Sequence, residues 1–229
     1  MNSYRTIARI VGVLFLAGMV IGIAGNILIQ SVLGAPNYLS TISANSMKVA
    51  IGAMLLLMTV AGDAAHGVLM FPVLKQHNEY IALGYFVFRI VDAVFLGIQV
   101  LFILFQIPLG SQYLNAGISS TSHLQSVSSA FIQTNLYAYH IAMLTLGIAG
   151  LMLCCSFYKT KLVPRLLAIW GIVGYAAILC GSALEVLGFN LNSIDTIPGG
   201  LWEVFIGVWL ILKGFNYSAI DTESDKTNN

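Results

Sequence analysis

Charge is scarce in this sequence. Its 229 residues include 10 Lys or Arg and 9 Asp or Glu, 8% of the chain, and the net charge is +1. A soluble domain carries about 25% charged residues. So little charge excludes an ordinary water-soluble fold, and the near-zero balance gives no sign of a nucleic-acid partner. Cysteine is scarce too. Cys154, Cys155 and Cys180 make an odd count, with no C-x-x-C and no Cys/His ligand spacing. That excludes a disulfide framework and a zinc-finger pattern, and leaves reduced packing residues. There is no G-x-S-x-G elbow for a serine nucleophile. His66 and His140 are the only histidines in apolar runs, which excludes a three-histidine metal site.

What is abundant is hydrocarbon. Hydrophobic residues make up 58% of the chain, and the mean hydropathy is +0.87. Such a surface requires lipid around it. No strand-like alternation appears, so the expected class is all-α. A span needs about 20 mostly apolar residues, and six runs qualify: about 10–33, 47–74, 80–107, 135–158, 166–189 and 198–215. They predict a polytopic six-transmembrane-helix bundle forming one domain over residues 1–215, with a polar tail at 216–229. The first run is longer than a signal-peptide core and is read as a retained span. The stretch from Pro108 to about Thr134 is rich in serine and has no acid, lysine or arginine. It reads as the longest loop, with a short interfacial helix around His123–Ile132.

Direction follows from the basic residues. Arg5, Arg9, Lys75, Lys159, Lys161, Arg165, Lys213 and Lys226 fall on one side of the six runs, and only Lys48 on the other. By the positive-inside rule both termini are expected to be cytoplasmic. Trp170, Trp202 and Trp209 read as interface anchors. Gly18 and Gly22, Gly147 and Gly150, and Gly171 and Gly174 read as points of close helix approach.

Against this background a few ionisable residues stand out, because charge inside a membrane is costly. In FVFRIVDAVFLG, Arg89 and Asp92 sit three residues apart. At about 1.5 Å of rise per residue, Asp63, His66, Arg89, Asp92 and Glu203 all lie about 14–20 Å deep, in one layer near the midplane. On the third run, Tyr85, Arg89, Asp92, Leu96, Gln99, Ile103 and Gln106 follow alternating steps of four and three, which is one helix face. Lipid cannot satisfy that face, so it should point inward. His140 and Glu185 lie further out, at about 28–30 Å by the same rise. With Gln99, Gln106 and Tyr137 they form an expected outer polar layer.

One arginine cannot neutralise three carboxylates. The surplus must be protonated, paired with His66, hydrated or bound to a cation. Three readings stay open. Arg89 and Glu203 can be an interhelical clamp, with Asp63 and His66 completing the network. The polar face can hold a small molecule or carry protons. Asp63, His66 and Glu203 can bind iron or manganese in an intramembrane enzyme. No cofactor is indicated by any motif.

Short motifs recur along the whole chain. Arg9-Ile10-Val11-Gly12 opens it, and Phe88-Arg89-Ile90-Val91-Asp92-Ala93-Val94-Phe95-Leu96-Gly97 lies in the third run. Leu162-Val163-Pro164-Arg165-Leu166-Leu167 begins the fifth. Trp202-Glu203 and Trp209-Leu210-Ile211-Leu212-Lys213-Gly214 close the sixth. In order and spacing they resemble the DUF4386 family, a domain of unknown function. The resemblance implies a six-span protein of the bacterial cytoplasmic (inner) membrane, and implies no activity.

Overall fold

The computed structural model describes residues 2–116, 118–191 and 193–216. Most of the expected tail lies outside the described residues. The order is α1 (Asn2–Leu33), α2 (Tyr38–Thr41), α3 (Ser46–Lys75), α4 (Glu79–Asn115), α5 (Ile118–Thr160), α6 (Arg165–Val186), a 3₁₀ turn (Ile194–Thr196) and α7 (Ile197–Leu212). No strand occurs among the described residues. Six helices are long and apolar enough to cross a membrane: Tyr4–Leu33, Ser46–Lys75, Glu79–Asn115, Ser120–Thr160, Arg165–Val186 and Ile194–Leu212. The chain is therefore an all-α, multi-pass membrane protein, as its composition requires.

The helix ends follow local chemistry. Asn78 caps α4, its side-chain oxygen accepting the Ile81 N–H at 3.0 Å. Lys75 reaches across that turn to Glu79 at 2.9 Å. Lys161 ends α5 in the left-handed region, at φ 59°, and Pro164 precedes α6. The expected long loop is absent. α4 continues through Pro108 to Asn115, and α5 starts at Ile118. Serine and one proline suggested a break. However, Ser111 and Ser126 bond carbonyls four residues back in their own helices, at 3.4 and 3.0 Å. Tyr113 then accepts an amide hydrogen of Gln125 at 3.2 Å, tying the α4 and α5 extensions together.

Contacts gather into two compact units. The first comprises the described residues of Met1–Ala17, Gly62–Ala93 and His140–Asn229, and the second Gly18–Ala61 and Val94–Tyr139. In the first, glycines make room for aromatic rings. A Cβ at Gly150 would clash with the Tyr175 ring, and one at Gly171 would lie 2.7 Å from the Trp202 indole. Trp202 is fully buried, donates to the Leu167 carbonyl at 2.6 Å, and stands edge-on to Tyr175 and Phe15. It is a core residue, not the expected interface anchor. Gly147 and Gly174 also sit at close approaches, against Leu179 and the Gly199 backbone.

The second unit has an aliphatic centre of Ile29, Val32, Ile42, Val49, Ala53, Leu56, Val100 and Ile103. There Gly25 and Gly52 meet, each facing the other's carbonyl at 2.9 Å from a would-be Cβ. Gly18 has nothing within 4 Å of its would-be Cβ, and Gly22 only Thr59 at 3.5 Å, so neither is a tight crossing. This contrast predicts that Gly150→Leu lowers stability by about 1–3 kcal/mol, the usual cost of overpacking. Gly18→Leu should be close to neutral. Unfolding of purified protein in mixed micelles by added SDS measures both.

Candidate functional site

The first unit contains a buried ion cluster. α4 places Arg89 and Asp92 one turn apart, and α3 places Asp63 opposite. One terminal nitrogen of Arg89 binds Asp63 Oδ1, the other binds Asp92 Oδ2 at 3.1 Å, and Nε donates to the Asp63 backbone carbonyl at 3.3 Å. The guanidinium is thus held by two carboxylates and a main-chain oxygen, with the fixed fork that arginine alone provides. Gly67 permits this approach: a Cβ there would lie 3.1 Å from Arg89 Cβ. The two acids differ in access. The side chain of Asp92 is 0% exposed and that of Asp63 is 28% exposed.

Two polar atoms of this layer have no hydrogen-bond partner among the described residues: Asp92 Oδ1 and His66 Nδ1. His66 is buried, its ring edge-on to Phe15 with centroids 4.3 Å apart. Glu203, by contrast, accepts a hydrogen bond from the Tyr175 hydroxyl at 2.9 Å. The expected Arg89–Glu203 clamp is therefore corrected. Arginine pairs with Asp63 and Asp92, and Glu203 pairs with Tyr175. Equal depth along the helices said nothing about angle around them, which decides the partner. The proposed metal set of Asp63, His66 and Glu203 does not assemble either. Among the described residues no three His, Cys, Asp or Glu side chains form a group that could hold a metal ion. His140 and Glu185 do approach each other, at 3.8 Å between Nε2 and Oε2. Glu185 also accepts the Leu191 N–H at 2.6 Å.

The second unit holds a separate polar feature. A cavity of about 110 Å³ lies among α1, α4 and α5. Carboxamides dominate its polar wall: Asn26, Gln30, Gln99, Gln106 and Asn135. Ile29, Ile103, Phe102 and Ile132 form apolar walls, and among the described residues no ionisable side chain lines it. Asn135 donates to the Gln99 backbone carbonyl at 2.8 Å, and Asn26 to that of Gly22 at 3.1 Å. Gln106, buried, accepts from Ser128 at 2.5 Å. Because the Ser128 hydrogen is committed to Gln106, the Tyr38 hydroxyl, 2.5 Å from Ser128 Oγ, must be the donor of that pair. Tyr137, expected with this layer, is 49% exposed and turns away from the interior.

Sequence reasoning missed Asn26, Gln30, Tyr38, Ser128 and Asn135. A signal was present in part: Ser128, Ile132 and Asn135 are spaced by four and three, one helix face. It was hidden because the segment was read as loop.

These contacts predict that Arg89→Gln destabilises by about 3–5 kcal/mol, since it strands the buried Asp92 carboxylate and the half-buried Asp63. Adding Asp63→Asn and Asp92→Asn should recover much of the loss, and adding Glu203→Gln should recover little. SDS-induced unfolding of the variants distinguishes the two outcomes.

No curated protein and no solved structure matches this chain. The family model for the domain of unknown function DUF4386 matches residues 10–214, nearly the full length, and the chain belongs to that family.

Proposed function

We propose that the protein binds a small, uncharged, hydrogen-bonding solute within the membrane and serves its passage. The observation that carries this reading is the carboxamide-lined cavity of the second unit. Carboxamides both donate and accept, which suits hydroxyl or amide groups, and the described lining carries no charge that would favour an ion. The volume of about 110 Å³ suits a compact solute of a few heavy atoms, such as a small polyol or urea-like amide. The location proposed is a bacterial cytoplasmic membrane with both termini on the cytoplasmic side, in line with the placement of the basic residues.

The test uses proteoliposomes. Glycerol or urea is added outside and vesicle re-swelling is followed by light scattering. The wild-type protein should accelerate re-swelling over protein-free vesicles for at least one of the two solutes. Gln99→Leu with Gln106→Leu should slow it by about fivefold for each hydrogen bond of about 1 kcal/mol lost. Rates equal to those of empty vesicles, together with no saturable binding of either solute, would remove the proposal.

The ion cluster of the first unit supports a second reading, a proton-holding site. Two carboxylates share one guanidinium there, and Asp92 retains an unpartnered oxygen. The surplus acid requires a proton or another cation for neutrality. Infrared difference spectra across a pH step should contain a carboxylic-acid C=O band that disappears in Asp92→Asn. A band unchanged in that variant assigns the proton elsewhere.

A further inference from the structure

A second cleft, apolar-walled but carrying basic side chains, lies where α5 ends and α6 begins, beside the end of α7. It is about 460 Å³, and its lining includes Lys161, Arg165, Lys213, Leu162, Trp209 and Phe215. Three of these residues are cationic, and among the described residues no acid lines the cleft. Its frame is fixed. Leu162 and Phe215 are buried, and the Asn216 N–H donates to the Leu162 carbonyl at 2.8 Å. Lys161 and Gly214 turn the chain through left-handed conformations, at φ 59° and 74°. The Arg165 guanidinium lies over the Tyr158 ring, 5.5 Å from its centroid. That leaves its hydrogen-bonding edge available.

The position of the cleft narrows its ligand. The surrounding apolar helices end at Thr160 and Leu212 and begin at Arg165. The cleft is therefore at a boundary between hydrocarbon and water, the level of lipid phosphates. Arginine and lysine are the usual phosphate-binding side chains, and tryptophan favours this interfacial level. We propose that the cleft binds a phosphate group that carries no cation of its own. Its source is either an anionic phospholipid of the adjoining leaflet or a soluble phosphate. Lys161, Arg165 and Lys213 supply the charge, and Trp209 forms part of the wall.

Trp209 also supplies the readout. The full-length protein is placed in nanodiscs containing brominated phosphatidylglycerol or, separately, brominated phosphatidylcholine. Phosphatidylglycerol should quench more strongly, and Trp209→Phe should remove the excess, assigning it to this indole. Lys161→Gln, Arg165→Gln and Lys213→Gln together should abolish the preference, each contributing about fivefold. Lys161→Arg with Lys213→Arg should preserve it. Inorganic phosphate separates the sources. If it changes Trp209 fluorescence saturably and cancels the phosphatidylglycerol excess, the ligand is soluble phosphate. If the excess persists in its presence, the ligand is lipid. Equal quenching by both lipids with no response to inorganic phosphate would overturn the proposal. So would a preference that survives in a triple glutamine variant of wild-type helix content.

Discussion

Hydrocarbon offers no hydrogen bonds, and each polar group held within it needs a partner from the protein itself. Arg89 shows how this demand is met. Its Nε and its two terminal nitrogens each donate one hydrogen bond, to the Asp63 main chain, Asp63 Oδ1 and Asp92 Oδ2, so each nitrogen has a partner within the protein. The same demand explains why Thr145, inside the fourth span, turns its hydroxyl back onto its own helix. It also explains the hydrogen-bonded chain from Tyr38 through Ser128 to Gln106. Among the described residues the demand is left incomplete at Asp92 Oδ1 and His66 Nδ1, and an unpartnered buried group is costly to maintain.

Association of apolar helices in lipid gains little from hydrophobicity, so close fit has to supply much of it. Glycine provides that fit here in two ways. Gly25 and Gly52 bring backbones together. Gly150 and Gly171 instead create recesses for Tyr175 and Trp202. The second use has a chemical outcome: the Tyr175 ring seated over Gly150 carries the hydroxyl that engages Glu203.

The spans were legible because hydropathy and helix length are properties of sequence alone, and the short family motifs follow the same order. The inward face of α4 was legible from spacing, and Arg89, Asp92, Ile103 and Gln106 on it are buried. Partner choice was not legible. Arg89 had acids at similar depth on two other helices, and only the rotation of α3 and the room at Gly67 select Asp63. Trp202 was misread because tryptophan is usual at membrane interfaces, whereas the recess that buries it depends on Gly171 from a different helix. The carboxamide cavity was half visible, through Gln99 and Gln106. On α5, Ile132 was read into a short interfacial helix within a loop, and Asn135 opened the fourth run without being recognised as part of the wall.

The continuity of α4 and α5 has a mechanical consequence. At about 1.5 Å per residue, 37 and 43 residues extend about 55 and 65 Å, while the hydrocarbon core is about 30 Å thick. Even with tilt, both helices must outrun the apolar layer. Their extra turns, joined by the Tyr113–Gln125 hydrogen bond, therefore stand outside hydrocarbon and hold their shape by their own helical hydrogen bonds.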